Sequence, residues 1–426
     1  MAHRTGKKYY SQLIERLNRY PQGAPPSKTL YSILQILFSE EEARLVSTLP
    51  IKPFTVAKAS KVWKIKQGEA RKALESMADK ALLVDFEENG ETRYVLPPPM
   101  AGFIEFSMMR LRDDIDQKLL GELFHQYINV EEDFITALLG RGETQLGRVF
   151  IQEGVLSSEN SLHVLDYERA TRVIDTASDI GISMCYCRHK MEHMGKACDA
   201  PMDICMTFNT TGSSLIRHGH ARRVDVAEAH DLLAQAWENN LVQFGENNRQ
   251  GVNFICNCCA CCCEAMIAAR KFGIMQPVHT SNFVVQSNVN ECRGCGKCEK
   301  VCPVEALTLV SANNPEKPKQ NKILVDQKLC LGCGVCVRGC KNGAMYLERR
   351  PERILTPLDT THRTVMMAIE RGMLQHLIFD NRVLFSHRML AALLGVILKL
   401  PPVKQIMASK QVKSRYLEKL ISRMNY

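Results

Sequence analysis

The stretch CRGCGKCEKVCP at residues 292–303 has a second copy, CLGCGVCVRGC, at residues 330–340. In both, cysteines recur after two, two and three intervening residues. Two-residue gaps let one tight loop turn three thiolates onto a single face of a metal cube. Gly294, Gly296, Gly332 and Gly334 supply the turn conformations such a loop needs. The three-residue step begins a short helix that carries the fourth thiolate away. In this spacing each run gives three thiolates to one [4Fe–4S] cube and its fourth to the other. Cys292, Cys295, Cys298 and Cys340 are thereby assigned to one cluster, and Cys330, Cys333, Cys336 and Cys302 to its partner. The chemistry implied is one-electron transfer.

A pair of zinc sites is the competing reading, since C-x2-C is also a zinc spacing; two complete 2-2-3 runs argue against it. Residues 286–349 resemble the bacterial-type dicluster ferredoxin domain. The likeness departs where Lys341 replaces the usual proline after Cys340, and where a longer polar stretch, Ser311 to Asn321, separates the repeats. Neither removes a ligand.

The chain has 426 residues, enough for about three domains, and 45% hydrophobic content, that of a globular protein. Its start, MAHRTGKKYY, is basic and then polar, without the apolar run of a secretory leader. Eighteen cysteines without a leader point to metal or redox use in the cytoplasm rather than to a disulfide framework. The longest apolar run, Met389 to Leu398, is too short to span a bilayer and suits a buried helix. From Arg349 to Tyr426 there are 14 Lys/Arg against 5 Asp/Glu, an excess equal to the +9 net charge of the whole chain.

The expected fold class is α+β and mainly helical, in four parts: a winged helix-turn-helix at 29–99, a helical Cys-rich metal-binding domain at 104–280, the dicluster βαβ-type module at 286–349, and a basic helical tail at 351–426. In the first part, helical periodicity runs from Leu30 to Leu49, over Phe54 to Val62 and over Gly68 to Lys80. Two strand-like runs then flank Asn89-Gly90, a strong hairpin signal. As a DNA reader the third helix would enter the major groove. Its charges are mixed, however, and Glu87, Glu88 and Glu91 at the hairpin would face phosphates, so protein docking is expected and nucleic acid is not. In the tail, Val403 to Met424 reads as an amphipathic basic helix, suited to an anionic membrane surface, an acidic partner or ordinary packing.

The remaining ten cysteines form two groups: Cys185, Cys187, Cys198 and Cys205, then Cys256, Cys258, Cys259, Cys261, Cys262 and Cys263. Neighbours such as Cys258 and Cys259 point to opposite sides of an extended chain, so both sides of that loop are expected to meet metal. One or two further Fe–S clusters are expected here. A zinc site using His189 or His193, or a dithiol redox site, is the alternative; both histidines are otherwise expected to face solvent or to stand behind the ligands. Arg188 is placed to stabilise a reduced cluster or to form a surface salt bridge. The Cys185-Tyr186-Cys187-Arg188 and Cys256–Cys263 segments ahead of the ferredoxin-like runs resemble a family of cysteine-rich dicluster proteins of anaerobic bacteria, over roughly residues 100–400. That resemblance implies electron transfer in anaerobic metabolism with a redox partner protein. No G-x-G-x-x-G or P-loop is present. The other function classes considered are a redox-sensing transcriptional regulator and a reductase with its catalytic site in the Cys-rich region.

Overall fold

Side-chain caps set the helix starts of the N-terminal region. Ser27 accepts from the Leu30 amide to open α2 (Lys28–Leu37), following α1 (Ala2–Leu17). Ser39 and Glu42 form a capping box at the start of α3 (Glu40–Thr48). Thr55 accepts from the Lys58 amide at the start of α4 (Val56–Trp63), and α5 (Gln67–Asp79) follows. The Leu30–Leu49 periodicity therefore belongs to two helices, because the chain is extended at Phe38 and recapped at Ser39. Strands β2 (Val84–Glu88) and β3 (Glu91–Val95) pair around Asn89 and Gly90, both at positive φ, and β1 (Phe54–Thr55) completes a sheet in the order β1-β3-β2.

The computed structural model describes residues 2–140, 142–157, 161, 163–274, 277–316, 320–354, 356–380 and 385–398. Two units interleave along the chain. The first comprises Met1–Thr144, Thr210–Arg222 and Pro357–Tyr426; the second comprises Gln145–Asn209 and Arg223–Thr356. The basic helix expected at Val403 to Met424 lies outside the described residues.

Within the first unit, Asp85 on β2 is held by the Ser214 hydroxyl at 2.6 Å, by His218 Nε2 at 3.1 Å and by Arg217, while His218 Nδ1 reaches Asp79 at 2.6 Å. Burial works to raise the Asp85 carboxyl, but the hydrogen bonds from His218 and Ser214 and the nearby cations outweigh it and hold it at about 2. His218 is raised by its bond to Asp85, against burial. The Asp85 contribution is present above its unfolded pKa and is lost as pH falls toward 2. The His218 contribution is complete below its ordinary value and is lost as pH rises through the raised one. Thermal unfolding of His218→Gln against wild type is expected to show a deficit of about 1–2 kcal/mol at pH 5, shrinking by pH 9; a constant deficit would dismiss the linkage.

The Cys-rich segment is built on a sheet rather than on helices alone. Strands β4 (Gly147–Val149), β5 (Ile180–Met184), β6 (Asp203–Phe208), β7 (Arg222–Arg223), β8 (Val242–Glu246) and β9 (Phe254–Cys258) take the order β4-β8-β9-β6-β5-β7. Ile180, Ile182, Met206, Phe208 and Ile255 bury one face with Phe150, Ile174 and Leu233. These strands are short and several of their apolar positions are cysteines, which pack as small hydrophobes.

After them comes a twofold strand–loop–helix–strand arrangement. β10 (Phe283–Ser287) pairs antiparallel with β13 (Met345–Arg349), and β11 (Leu307–Ser311) with β12 (Asn321–Val325). Helices Lys297–Val301 and Val335–Arg338 are capped by Gly296 and Gly334 in the left-handed region. In the first unit, helix Phe385–Leu398 does not bury its apolar run: Met389, Leu390, Leu393 and Val396 are exposed, and Ala391 is buried.

Candidate metal centres

Cys302, Cys330, Cys333 and Cys336 line one cavity, walled by Val285, Leu307 and Leu331. Three of these thiols come from the second run and one from the first. Burial, together with the charge of Cys302 and Cys330, pushes the Cys333 thiol up to about 12. Cys302 is likewise raised by burial and by Cys330, against amide donors that include the Ala306 N–H at 3.3 Å from its Sγ. Cys298 is raised by burial and feels the charge of Cys292 and Cys340. The fourth cysteine of each run thus neighbours the other run's thiols. Amides aimed at sulfur also favour the reduced state of an Fe–S centre.

Gly332 lies at φ +67°, and a Cβ there would overlap the Phe283 carbonyl oxygen and the Ser281 hydroxyl. Gly332→Ala is expected to cost roughly 2–4 kcal/mol through positive φ and overlap together. It should also lower the iron content of the protein. Gly343, at φ +69° with open space beside it, is the control: its alanine variant should cost about 1–2 kcal/mol and keep its iron. Equal losses in both variants would refute the packing argument.

The ten remaining cysteines separate into six and four. Cys185 lies within hydrogen-bonding reach of Cys187 and Cys205, Cys263 of Cys187 and Cys258, and Cys256 of Cys205 and Cys258, which closes a ring of six thiols. The sheet explains part of it: the pairing Met206↔Ile255 sets Cys205 opposite Cys256, and Cys258 follows on the same face. The Met202 carbonyl holds the Cys185 amide at 2.8 Å. Cys185, Cys256 and Cys263 are held down, Cys256 to about 6, by bonds from their neighbours, while Cys187, Cys205 and Cys258 are pushed up.

The other four, Cys198, Cys259, Cys261 and Cys262, bring their sulfurs within 4.8 Å of one another. Cys258 and Cys259 therefore turn to different groups. Arg188 is fully buried, not a surface salt bridge, and its charge faces Cys185, Cys205 and Cys258 of the ring and Cys259 of the four. It donates to the Pro201 carbonyl at 2.9 Å and the Asn257 carbonyl at 2.7 Å. His189 is buried rather than solvent-facing, and its Nε2 lies 3.1 Å from that of His193; neither ring belongs to the four-sulfur set. Arg270 donates to the Pro303 carbonyl at 2.7 Å and the Ala260 carbonyl at 2.5 Å, joining the turn after Cys302 to the loop between Cys259 and Cys261. The residue types at 188 and 270 gave no sign of these carbonyl contacts, because both depend on which backbone carbonyls the sheet brings near.

Residues 291–344 match the 4Fe-4S dicluster domain family. The chain thus carries a ferredoxin-like iron–sulfur domain. Relatives agree: an uncharacterized ferredoxin of Methanocaldococcus jannaschii is 26% identical over 22% of this chain and 52% of its own length. The ferredoxin-type protein NapF of Escherichia coli K12 is 29% identical over 28% of this chain and 73% of its own. An iron–sulfur component of the CoB–CoM heterodisulfide reductase of M. jannaschii is 39% identical over 17% of this chain and 12% of its own. The chain spans about half the length of the first of these. No solved structure matches. Among the described residues no helix is long and apolar enough to cross a membrane.

Proposed function

We propose that this protein passes single electrons between a redox partner protein and its Cys-rich region, in the cytoplasm and in anaerobic metabolism. The ferredoxin-like domain holds two [4Fe–4S] clusters with the crossed ligand sets, Cys292, Cys295, Cys298 and Cys340 for one and Cys330, Cys333, Cys336 and Cys302 for the other. The observation that carries the reading is the cavity in which Cys302 joins the three thiols of the second run. The clusters supply one-electron chemistry with ligation unchanged; the chain sets their surroundings. Arg270 ties this cluster's loop to the Cys-rich loop by two backbone contacts, a short path between them. Six converging thiols exceed the four of one cube, which suits a further polynuclear Fe–S centre in the ring. The helices and three-stranded sheet of residues 28–95 are read as a winged helix that docks protein, since α5 carries exposed Arg71 and Glu75 as a mixed-charge pair.

Protein purified without oxygen is expected to contain about 12 or more iron per chain, counting four per cube. On stepwise reduction it should show the interacting EPR signals of neighbouring clusters. Fewer than about eight iron, with zinc at residues 292–340, would end this reading.

A further inference from the structure

The four-thiol group differs in scale from a cube site. A single metal ion with bonds of about 2.3 Å to four sulfurs at tetrahedral corners sets those sulfurs about 3.8 Å apart. Cys261 and Cys262 are 3.6 Å apart, and Cys262 and Cys198 are 3.9 Å apart. All four sulfurs stay within 4.8 Å of one another. A four-iron cube holds its thiolates outside its own iron and sulfide atoms and so needs them wider apart. Among the described residues, no three cysteines of the ferredoxin-like domain bring their sulfurs within 4.8 Å of one another.

We infer that Cys198, Cys259, Cys261 and Cys262 hold one zinc ion, in a site separate from the six-thiol ring. Four thiolates fill a tetrahedral zinc completely and leave no position open for a substrate, so the role is structural. Its placement fits that role. Cys198 lies in the loop after helix Tyr186–His193, and the other three lie in the loop that ends β9. Met191, Ile204, Ala236 and Leu241 pack around Cys259 and Cys262. The ion would tie the two loops together beside the Ala260 carbonyl that Arg270 binds. Zinc in this position fixes the geometry of the loop that faces the ferredoxin-like domain and exchanges no electrons itself.

The inference does not depend on the electron-transfer reading. The test is metal analysis and zinc X-ray absorption on full-length protein purified without oxygen. About one zinc per chain with four sulfurs at about 2.3 Å is expected. Cys198→Ala and Cys261→Ala should each abolish zinc binding while iron content and the reduced EPR spectrum stay as in wild type. Should these variants fail to fold, the wild-type absorption spectrum decides alone. A zinc-free wild type would overturn the inference. So would loss of about four iron in Cys261→Ala, or zinc that survives Cys198→Ala and disappears in Cys205→Ala. Normal EPR without zinc sinks only this inference. Zinc present without dicluster signals sinks only the proposed function.

Discussion

Cys302→Ala is expected to remove about four iron per chain and to abolish the cluster whose other three ligands, Cys330, Cys333 and Cys336, lie in the second run. The reason is local. Cys302 ends the short helix Lys297–Val301 and faces into the cavity those thiols share, where its sulfur accepts the Ala306 amide. The rest of the wall is apolar, from Val285, Leu307 and Leu331. Among the described residues that line it there is no carboxylate or imidazole to substitute as the fourth ligand. Alanine is the better probe than serine because a serine oxygen can itself ligate iron. Cys340→Ala should produce the reciprocal result, losing the cluster of Cys292, Cys295 and Cys298. EPR of the reduced variants separates the outcomes, since each should retain one isolated signal and lose the coupling between two. If Cys302→Ala instead spares the second-run cluster and damages that of Cys292, Cys295 and Cys298, the ligands are not crossed and each run serves its own cube.

Why this much could be read from the sequence is a matter of range. The 2-2-3 spacing acts within a dozen residues, where the loop itself brings thiols together, and Asn89-Gly90 sets its hairpin in the same local way. The ten other cysteines depend on long-range pairing. Cys205 meets Cys256 only because β6 and β9 are neighbours, and no local signal says so. The strands of that sheet are masked in the sequence because several of their apolar positions are cysteines, which fill a strand position as small hydrophobes. The alternation of Cys258 and Cys259 between two groups was legible, as a consequence of extended geometry; which thiols waited on either side was not. The burial of Arg188 was likewise out of reach, for an arginine beside a cysteine motif is ordinarily a surface residue.

Arg188→Met is expected to lower the reduction potential of the Fe–S centre proposed for the six-thiol ring by on the order of 50–100 mV. The figure follows from one unit charge at roughly 10 Å in an effective dielectric near 20, about 1.7 kcal/mol, converted at 59 mV per tenfold change for one electron. The sign follows from charge: reduction adds an electron, a buried cation favours the more negative state, and removing it makes reduction harder. Burial works to lower the guanidinium pKa, but Cys185, Cys259, Cys205 and Cys258 together hold it above its ordinary value, so the cation is secure. Its Nε is buried without a hydrogen-bond partner among the described residues, beside these sulfurs. The variant also strips the Pro201 and Asn257 carbonyls of their donors, at about 1–3 kcal/mol for each buried group left unpaired. Arg188→Lys separates the two effects, because it keeps the charge and loses the forked geometry. A redox titration followed by EPR should place the lysine variant within about 20 mV of wild type, with the methionine variant well below both, even where both melt early. Equal potentials in all three proteins would mean that Arg188 only holds the two carbonyls together.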